Sequence, residues 1–317
     1  VKKVLITGAL GQIGTELVVA MRRTYGTANI IASDIQPSPP AGALAEGPYA
    51  VVDVTAPEKI AAVVQRYGIN QIIHLAAILS ATGEAKPKLA WDVNMCGLFN
   101  VLEVAREAKA AVFTPSSIAA FGPGTPPDRT PQDTIQRPTT MYGVTKVGGE
   151  LLCDYYFLKH GVDTRGVRFP GLISYAALPG GGTTDYAVHI YYEALKHKTY
   201  TSYIGKGTFM DMMYMPDALD AITQLMEADP DRLVHRNAFN VTAMSFDPEI
   251  LAASIRKYIP EFALTYNVDP VRQGIANSWP NSLDDTAARE EWGWNPKYDL
   301  DAMTVDMLAQ LKRKLGL

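Results

Sequence analysis

The chain has 317 residues, 47% of them hydrophobic and 20% charged, with a formal net charge of −4. This length and balance suit one large globular domain, or a domain with a smaller companion. With no basic block or acidic tail, the composition argues against a nucleic-acid or anionic-membrane partner, and no apolar run approaches the roughly 18 residues that a membrane span needs. The opening "VKKVLITGAL" turns glycine-rich too early for a signal peptide. Cys96 and Cys153 form no C-x-x-C pair and are expected as buried, reduced thiols. His74, His160, His189, His197 and His235 show no metal-ligand spacing, so no metal site is expected. The expected setting is the cytoplasm.

In chain order, "KVLIT" (3–7) reads as a strand, followed by a helix over about 11–23. "NIIAS" (29–33), "YAVVDV" (49–54) and "QIIHLA" (71–76) are further strands, and "QPSPPAGAL" (36–44) is a surface loop. Helical periodicity covers 57–67 and 87–108, and "AAVFTPS" (110–116) is the next strand. A helix over 141–160 and a strand "TRGVRF" (164–169) complete the regular part. Apolar runs without alternation suit strands covered on both faces, hence a parallel sheet in a doubly wound α/β domain. Residues 1–170 are expected to form this domain. Residues 171–317 should form mainly a smaller C-terminal lobe, with some segments returning to the first. The later pattern has a glycine-rich break "LPGGGTTDY" (178–186), a helix over 187–197, and "DDTAAREEWGW" (284–294), where Asp285 is the expected N-cap of a helix starting at Thr286.

"GALGQIG" places Gly8, Gly11 and Gly14, with Gln12 and Ile13 between them, at the junction of the first strand and first helix. Glycines there permit a tight turn and let backbone N–H groups approach a pyrophosphate. Turn geometry alone can also call for such glycines, so the surrounding residues decide. The second strand ends at Asp34, 20 residues after Gly14, where a carboxylate accepts both ribose hydroxyls and repels a 2′-phosphate. NAD is therefore expected over NADP. Asp53 and Val54 of "VDV" are placed toward the adenine edge, and Leu75, Ala76 and Ala77 beside the ribose.

"MYGVTK" puts Tyr142 and Lys146 one helical turn apart, on one side of a helix. A nearby lysine cation favours a tyrosine phenolate, which can then remove a proton from a substrate hydroxyl. "PSSIAAFG" offers Ser116 and Ser117 at a strand end, with hydroxyls to hold the reacting oxygen. Together with "HLAA" and "NMCGLFNVLE" (94–103), these motifs make the chain resemble the extended short-chain dehydrogenase/reductases over essentially its whole length. The resemblance implies a Rossmann domain with NAD. It makes Ser117 the catalytic serine, Tyr142 the acid/base, and Lys146 its partner and a ligand of the nicotinamide ribose, with Phe169 also at the cofactor. It further implies a homodimer through a four-helix bundle formed by helices 87–108 and 141–160.

The chain's 11 methionines include four within "KGTFMDMMYMPD" (206–217). Nucleotide-sugar members of the family show an asparagine after the strand corresponding to "VRFPG" and an arginine before the aspartate of this segment, and both serve the diphosphate. Here those positions are Gly171 and Met210, while Asp211 and Asp217 persist. A thioether cannot replace an arginine's bidentate donors. Most of the four methionines are expected simply to pack the core. "LAAILSA", "PGGGTTDYAV", "YTSYIGKGTFMDMMYMPDA" and "SWPNSLDDTAAREEWGW" are similar to one branch of the family, the short-chain L-threonine 3-dehydrogenases. That resemblance implies NAD-dependent oxidation of the β-hydroxyl of L-threonine to L-2-amino-3-oxobutanoate. Ser80, Thr183, Thr184 and Trp279 would then line the amino-acid pocket with Ser117 and Tyr142. Ser80 could instead only end a strand, the threonines only cap the following helix, and Trp279 only pack the lobe. The rival readings are a nucleotide-sugar epimerase or dehydratase of the same family, and a non-catalytic NAD-sensing scaffold. No residue in these motifs identifies itself as the partner of the substrate ammonium.

Overall fold

The computed structural model describes residues 2–177, 180 and 182–317. Of the glycine-rich break expected over 178–186, residues 178, 179 and 181 lie outside the described residues. The chain begins β1 (Val4–Thr7), α1 (Gln12–Tyr25), β2 (Ile30–Asp34), β3 (Tyr49–Val51), α2 (Pro57–Tyr67) and β4 (Gln71–His74). It continues through α3 (Ser80–Ala85), α4 (Pro87–Trp91), α5 (Gly97–Ala108), β5 (Ala111–Phe113), β6 (Ser116–Ser117), α6 (Met141–His160), β7 (Thr164–Arg165) and β8 (Val167–Phe169). Parallel pairing orders one six-stranded sheet β3-β2-β1-β4-β5-β7. Every residue of β1 and β4 is buried, as strands covered on both faces require. The fold is thus the α/β, doubly wound Rossmann arrangement.

Local chemistry fixes the best-defined helices. α2 has Pro57 in its first turn and ends on Gly68 in the left-handed region, so proline opens it and glycine closes it. α6 begins at Thr140, whose hydroxyl oxygen accepts the Gly143 N–H (3.0 Å), a cap worth about 1 kcal/mol. The expected strand over 164–169 is divided. Gly166 separates β7, in the main sheet, from β8, which joins a second parallel sheet with β6 and with β12 (Phe239–Asn240). The expected helix over 87–108 contains a π-helical turn, Asp92–Cys96, that turns Asn94 inward. The Asn94 amide bonds to the Ile78 backbone and the Thr145 hydroxyl. Cys96, expected buried, is exposed on the outer side of this turn; Cys153 is buried as expected, and burial pushes its thiol up.

Beyond β8 the chain forms β9 (Gly171–Ile173), α7 (Tyr186–His197), β10 (Thr199–Ser202), β11 (Met210–Tyr214) and α8 (Met215–Glu227). After β12 come β13 (Met244–Phe246), α9 (Pro248–Arg256), β14 (Ala263–Tyr266), α10 (Pro270–Ala276), α11 (Thr286–Trp292) and α12 (Leu300–Leu315). α7, α9 and α12 enclose one apolar core with Tyr186, Tyr191, Leu251 and Met307. Ala218, Ile222, Phe239 and Trp292, by contrast, pack into the core of β1 and α1. The helix at Thr286 exists, but Asp285 does not cap it with its side chain. Asp285 instead pairs with Arg289 (2.8 Å), and the Asp284 carboxylate accepts the Thr286 N–H (3.0 Å). An aspartate two positions before the first free N–H has the better reach.

Two buried acids tie the late chain down. Asp217 accepts the N–H groups of Lys297 (2.9 Å) and Tyr298 (3.1 Å). Asp211, fully buried, accepts the Leu283 N–H (2.8 Å) and the Thr242 hydroxyl. Burial pushes the Asp211 carboxyl up to about 8 from 3.8, against the opposing pull of those two donors. The folded chain therefore holds this proton where the unfolded chain has lost it. The resulting stability is complete below about 3.8 and is lost as pH rises through about 8. Thermal unfolding of wild type and Asp211→Asn from about pH 5 to 9 should show the wild-type midpoint falling relative to the variant as pH rises. Parallel curves would mean that Asp211 is ionised in the folded protein throughout.

Candidate active site

α6 and the end of β6 build the chemical centre. Gly143 lets the first turn of α6 press onto the 118–120 turn, for a Cβ there would lie 2.2 Å from the Ala119 carbonyl oxygen. That approach brings Tyr142 beside the segment carrying Ser117. Ser117 sits in extended backbone, and its hydroxyl oxygen accepts the Ala119 N–H (3.2 Å), which fixes its rotamer while its own proton can be donated. Lys146 donates to the Pro115 carbonyl (2.7 Å), and its ammonium lies 5.3 Å from the centre of the Tyr142 ring. All three side chains are half-buried.

The glycine turn lies across the same opening. Gly8 has φ +67°, and a Cβ on it would come within 2.6 Å of the Ala76 nitrogen, so the turn rests directly on the backbone after β4. α1 starts at Gly11 with no side-chain cap, which leaves its first N–H groups to an anion. Gln12 Nε2 is buried and has no hydrogen-bond partner. An orphaned donor beside an uncapped helix start suits a dinucleotide's oxygens. Asp34 at the end of β2 accepts the Leu10 N–H (3.2 Å) and the Ile35 N–H (2.8 Å), which orients its carboxylate over the glycine turn.

A cavity of about 240 Å³ joins the two parts. Its wall includes Gly8, Gly11, Gln12, Ile13, Gly14, Leu75, Ala77 and Phe169 on one side, and Ser117, Tyr142, Lys146, Ser80, Thr183, Thr184 and Trp279 on the other. Four residues expected at the cofactor are not on this wall. Ala76 backs Gly8, and Val54 is buried with its Cγ2 2.8 Å from where a Cβ on Gly97 would sit. Asp34 is bonded to the turn at Leu10 but lies off the wall, and the Asp53 carboxylate accepts the Thr55 N–H (2.9 Å) and hydroxyl (2.7 Å), bonds that hold it below the usual carboxylate range. The cavity adds Asp185, which the sequence reading did not single out. It follows Thr184 in a 3-10 turn, Thr183–Asp185, that leads into α7, and it accepts the Gly182 N–H. An acid directly after two hydroxyl residues at a helix start was the available signal, but it also fits ordinary helix capping.

The methionines fall into place by strand alternation. Met210 and Met212 point into the core around Tyr186 and Ile190, while Met213 and Met215 join the core of β1 and α1. Met210, proposed from the sequence to take a phosphate-binding position, is fully buried and does not line the cavity. Met212 is also fully buried and off the wall, but it packs directly behind two residues that line it. It pairs with Gly171 across β11 and β9, and its sulfur lies 2.4 Å from where a Gly171 Cβ would be, with Thr184 Cγ2 at 2.7 Å.

Residues 4–242 match the NAD dependent epimerase/dehydratase family. An uncharacterized epimerase/dehydratase of Staphylococcus haemolyticus is 58% identical over 313 residues, covering 99% of this chain and 98% of its own length. The structure of an L-threonine dehydrogenase from Clostridium difficile is similar at a TM-score of 0.97 and 61% identity, covering 99% of this chain and 98% of that one. A monomeric L-threonine 3-dehydrogenase from a metagenome, in its apo form, is similar at 0.93 and 45%, covering 98% and 99%. The chain therefore belongs to the NAD dependent epimerase/dehydratase family, and its cofactor is NAD.

Proposed function

We propose that this NAD-dependent oxidoreductase oxidises the β-hydroxyl of L-threonine to L-2-amino-3-oxobutanoate. The observation that carries the reading is the charge content of the cavity. Among the described residues its wall holds one acid, Asp185, and one cation, Lys146, and the cation already belongs to Tyr142. A zwitterionic amino acid needs one carboxylate for its ammonium, with hydroxyls and N–H groups for its own carboxylate; Asp185 and the neighbouring Thr183, Thr184 and Ser80 supply that set. A sugar nucleotide would bring a second diphosphate, out of reach of the glycine turn, and among the described residues the wall offers no cation beyond Lys146 to neutralise it.

When bound, NAD supplies the hydride acceptor. Its pyrophosphate would sit against the Gly8–Gly14 turn and Gln12, and its adenosine ribose against Asp34. Tyr142, as phenolate, takes the proton of the β-hydroxyl, and Lys146 provides the positive charge beside that ring. Ser117 donates its hydroxyl proton to the same substrate oxygen and holds it as it becomes a carbonyl. Asp185 holds the ammonium and so sets which face of the β-carbon is presented.

Mixing the protein with NAD and L-threonine should yield NADH. Tyr142→Phe should lower kcat by about 10²–10⁴ while NADH still binds. In the same assay Asp185→Asn should raise the L-threonine KM by about tenfold or more, because it exchanges a charge-assisted bond for a neutral one, with NADH affinity unchanged. UDP-glucose binding by calorimetry with no threonine-dependent NADH would favour the nucleotide-sugar alternative.

Cofactor choice tests Asp34 separately. Asp34→Ser should narrow the preference for NAD over NADP by removing a carboxylate that repels the 2′-phosphate. Equal wild-type turnover with both would remove this role from Asp34.

We infer a homodimer from the outer face of α5 and α6, where Phe99, Leu151, Tyr155 and Leu158 are exposed, Leu158 by 75% and Leu151 by 63%. Such a run of large apolar side chains marks a protein-contact surface. Since one relative is described as monomeric, light scattering is the deciding measurement: twice the chain mass is expected, and a single-chain mass would exclude the dimer.

A further inference from the structure

β6 is only two residues long, yet it sets the height at which the Ser117 hydroxyl meets the cavity. Its backbone pairs with β8 on one side, Ser116 opposite Arg168 and Ser117 opposite Phe169. On the other side α6 fastens it at two successive residues. Lys146 holds the Pro115 carbonyl, and the Ser116 hydroxyl donates to the Glu150 carboxylate. Tyr142, Lys146 and Glu150 recur every four residues, so a single face of one helix carries the proposed base, its cation and this acid.

Glu150 is itself over-determined. Arg168 donates to both of its oxygens, from Nε (3.1 Å) and Nη2 (2.9 Å), and Gln136 donates to Oε2 (2.7 Å). The pair is sealed, with the Glu150 and Arg168 side chains 6% and 7% exposed. Arg168 Nη1 donates to the Gln132 carbonyl (2.7 Å) and to Asn240 Oδ1 (3.1 Å), which anchors the side chain to two further segments. Burying two charges is a weak way to add stability, since well-packed apolar side chains do as well or better. What the pair adds is a fixed geometry, because three elements must keep register for every bond to form.

We propose that Glu150 is a positioning residue: acting through Ser116, it locks the Ser117 strand end to the helix that carries Tyr142 and Lys146. This rests on the oxidation proposed above for Ser117 and Tyr142. Ser116→Ala removes the tether but leaves the Glu150–Arg168 pair intact, so it isolates positioning from folding. It should lower kcat with L-threonine by about tenfold, because misplacement by ~1 Å can cost about a hundredfold. The L-threonine KM and NADH Kd should stay within about twofold, a split that mere loss of stability would not give. Hydrogen exchange at the 117–120 amides should also quicken about tenfold. Glu150→Ala, which removes the acceptor outright, combined with Ser116→Ala should lower kcat no further than Glu150→Ala alone, since the tether is then already lost. Wild-type kcat in Ser116→Ala overturns the proposal, whatever the exchange shows. A wild-type protein that makes no NADH from L-threonine overturns the oxidation reading instead, and the exchange rates then decide the tether alone, with unchanged exchange ruling it out.

Discussion

The site exists because Gly8 can lie against the backbone of Leu75 and Ala76. With φ +67° and 2.6 Å between the Ala76 nitrogen and any Cβ, no other residue fits there without moving a strand. The contact is reinforced by the Leu75 N–H donating to the Thr7 carbonyl (3.1 Å) and by the Thr7 hydroxyl paired with His74 Nδ1 (2.8 Å). Burial, with the Lys146 charge nearby, holds His74 down to about 3, so this pair brings no buried charge to the junction. β1 and β4 are the strands between which the connections diverge to opposite sides, and a crevice opens there at the carboxyl end of the sheet. The glycine turn and the start of α1 take their positions from that junction, and the Ser117 strand end, held by β8 and α6, closes the other side of the crevice.

Around this crevice the ionisable side chains divide by task. Asp211 and Asp217 are spent on backbone N–H groups of the returning chain, at Leu283 and at Lys297–Tyr298. Glu150 and Arg168 neutralise each other behind the strand end. Among the described residues, Asp185 and Lys146 are the charged ones that line the cavity. A wall with one charge of each sign, lined otherwise by hydroxyls, glycines and apolar groups, discriminates by the position of its charges more than by their number.

Much of this was legible in the sequence, and the exceptions have local physical causes. α2 and α6 occupy the residues that periodicity and capping assign to them, because proline, threonine and glycine mark their ends unambiguously. The single strand expected over 164–169 is two, since only a sheet partner reveals that Gly166 changes sheets. "YAVVDV" pairs only through Val51, after which Asp53 turns onto Thr55. The π-helical turn that exposes Cys96 adds no recognisable residue type, so helical periodicity passes over it. Asp284 and Asp285 are adjacent identical side chains, and which one caps α11 is decided by Arg289 competing for the second. Asp185 escaped notice for a related reason. Its place on the cavity wall depends on the 3-10 turn before α7, and spacing along the chain does not encode that placement.

The methionine cluster shows how composition and site connect. A strand shared by two cores needs apolar side chains on both faces, and β11 supplies them at Met210 and Met212 on one side and Met213 on the other. Unbranched thioethers suit such a strand because they fill unequal gaps without strict rotamer demands. That is a packing role, and it accounts for most of the cluster. Met212 differs only in its neighbour. Because position 171 has no side chain, the Met212 sulfur and the Thr184 methyl occupy the volume that one would need. The space behind Gly171, itself a wall residue of the cavity, is thereby filled with apolar matter. The absent side chain at position 171 and the long thioether at position 212, opposite each other on adjacent parallel strands, are thus two halves of one packing solution.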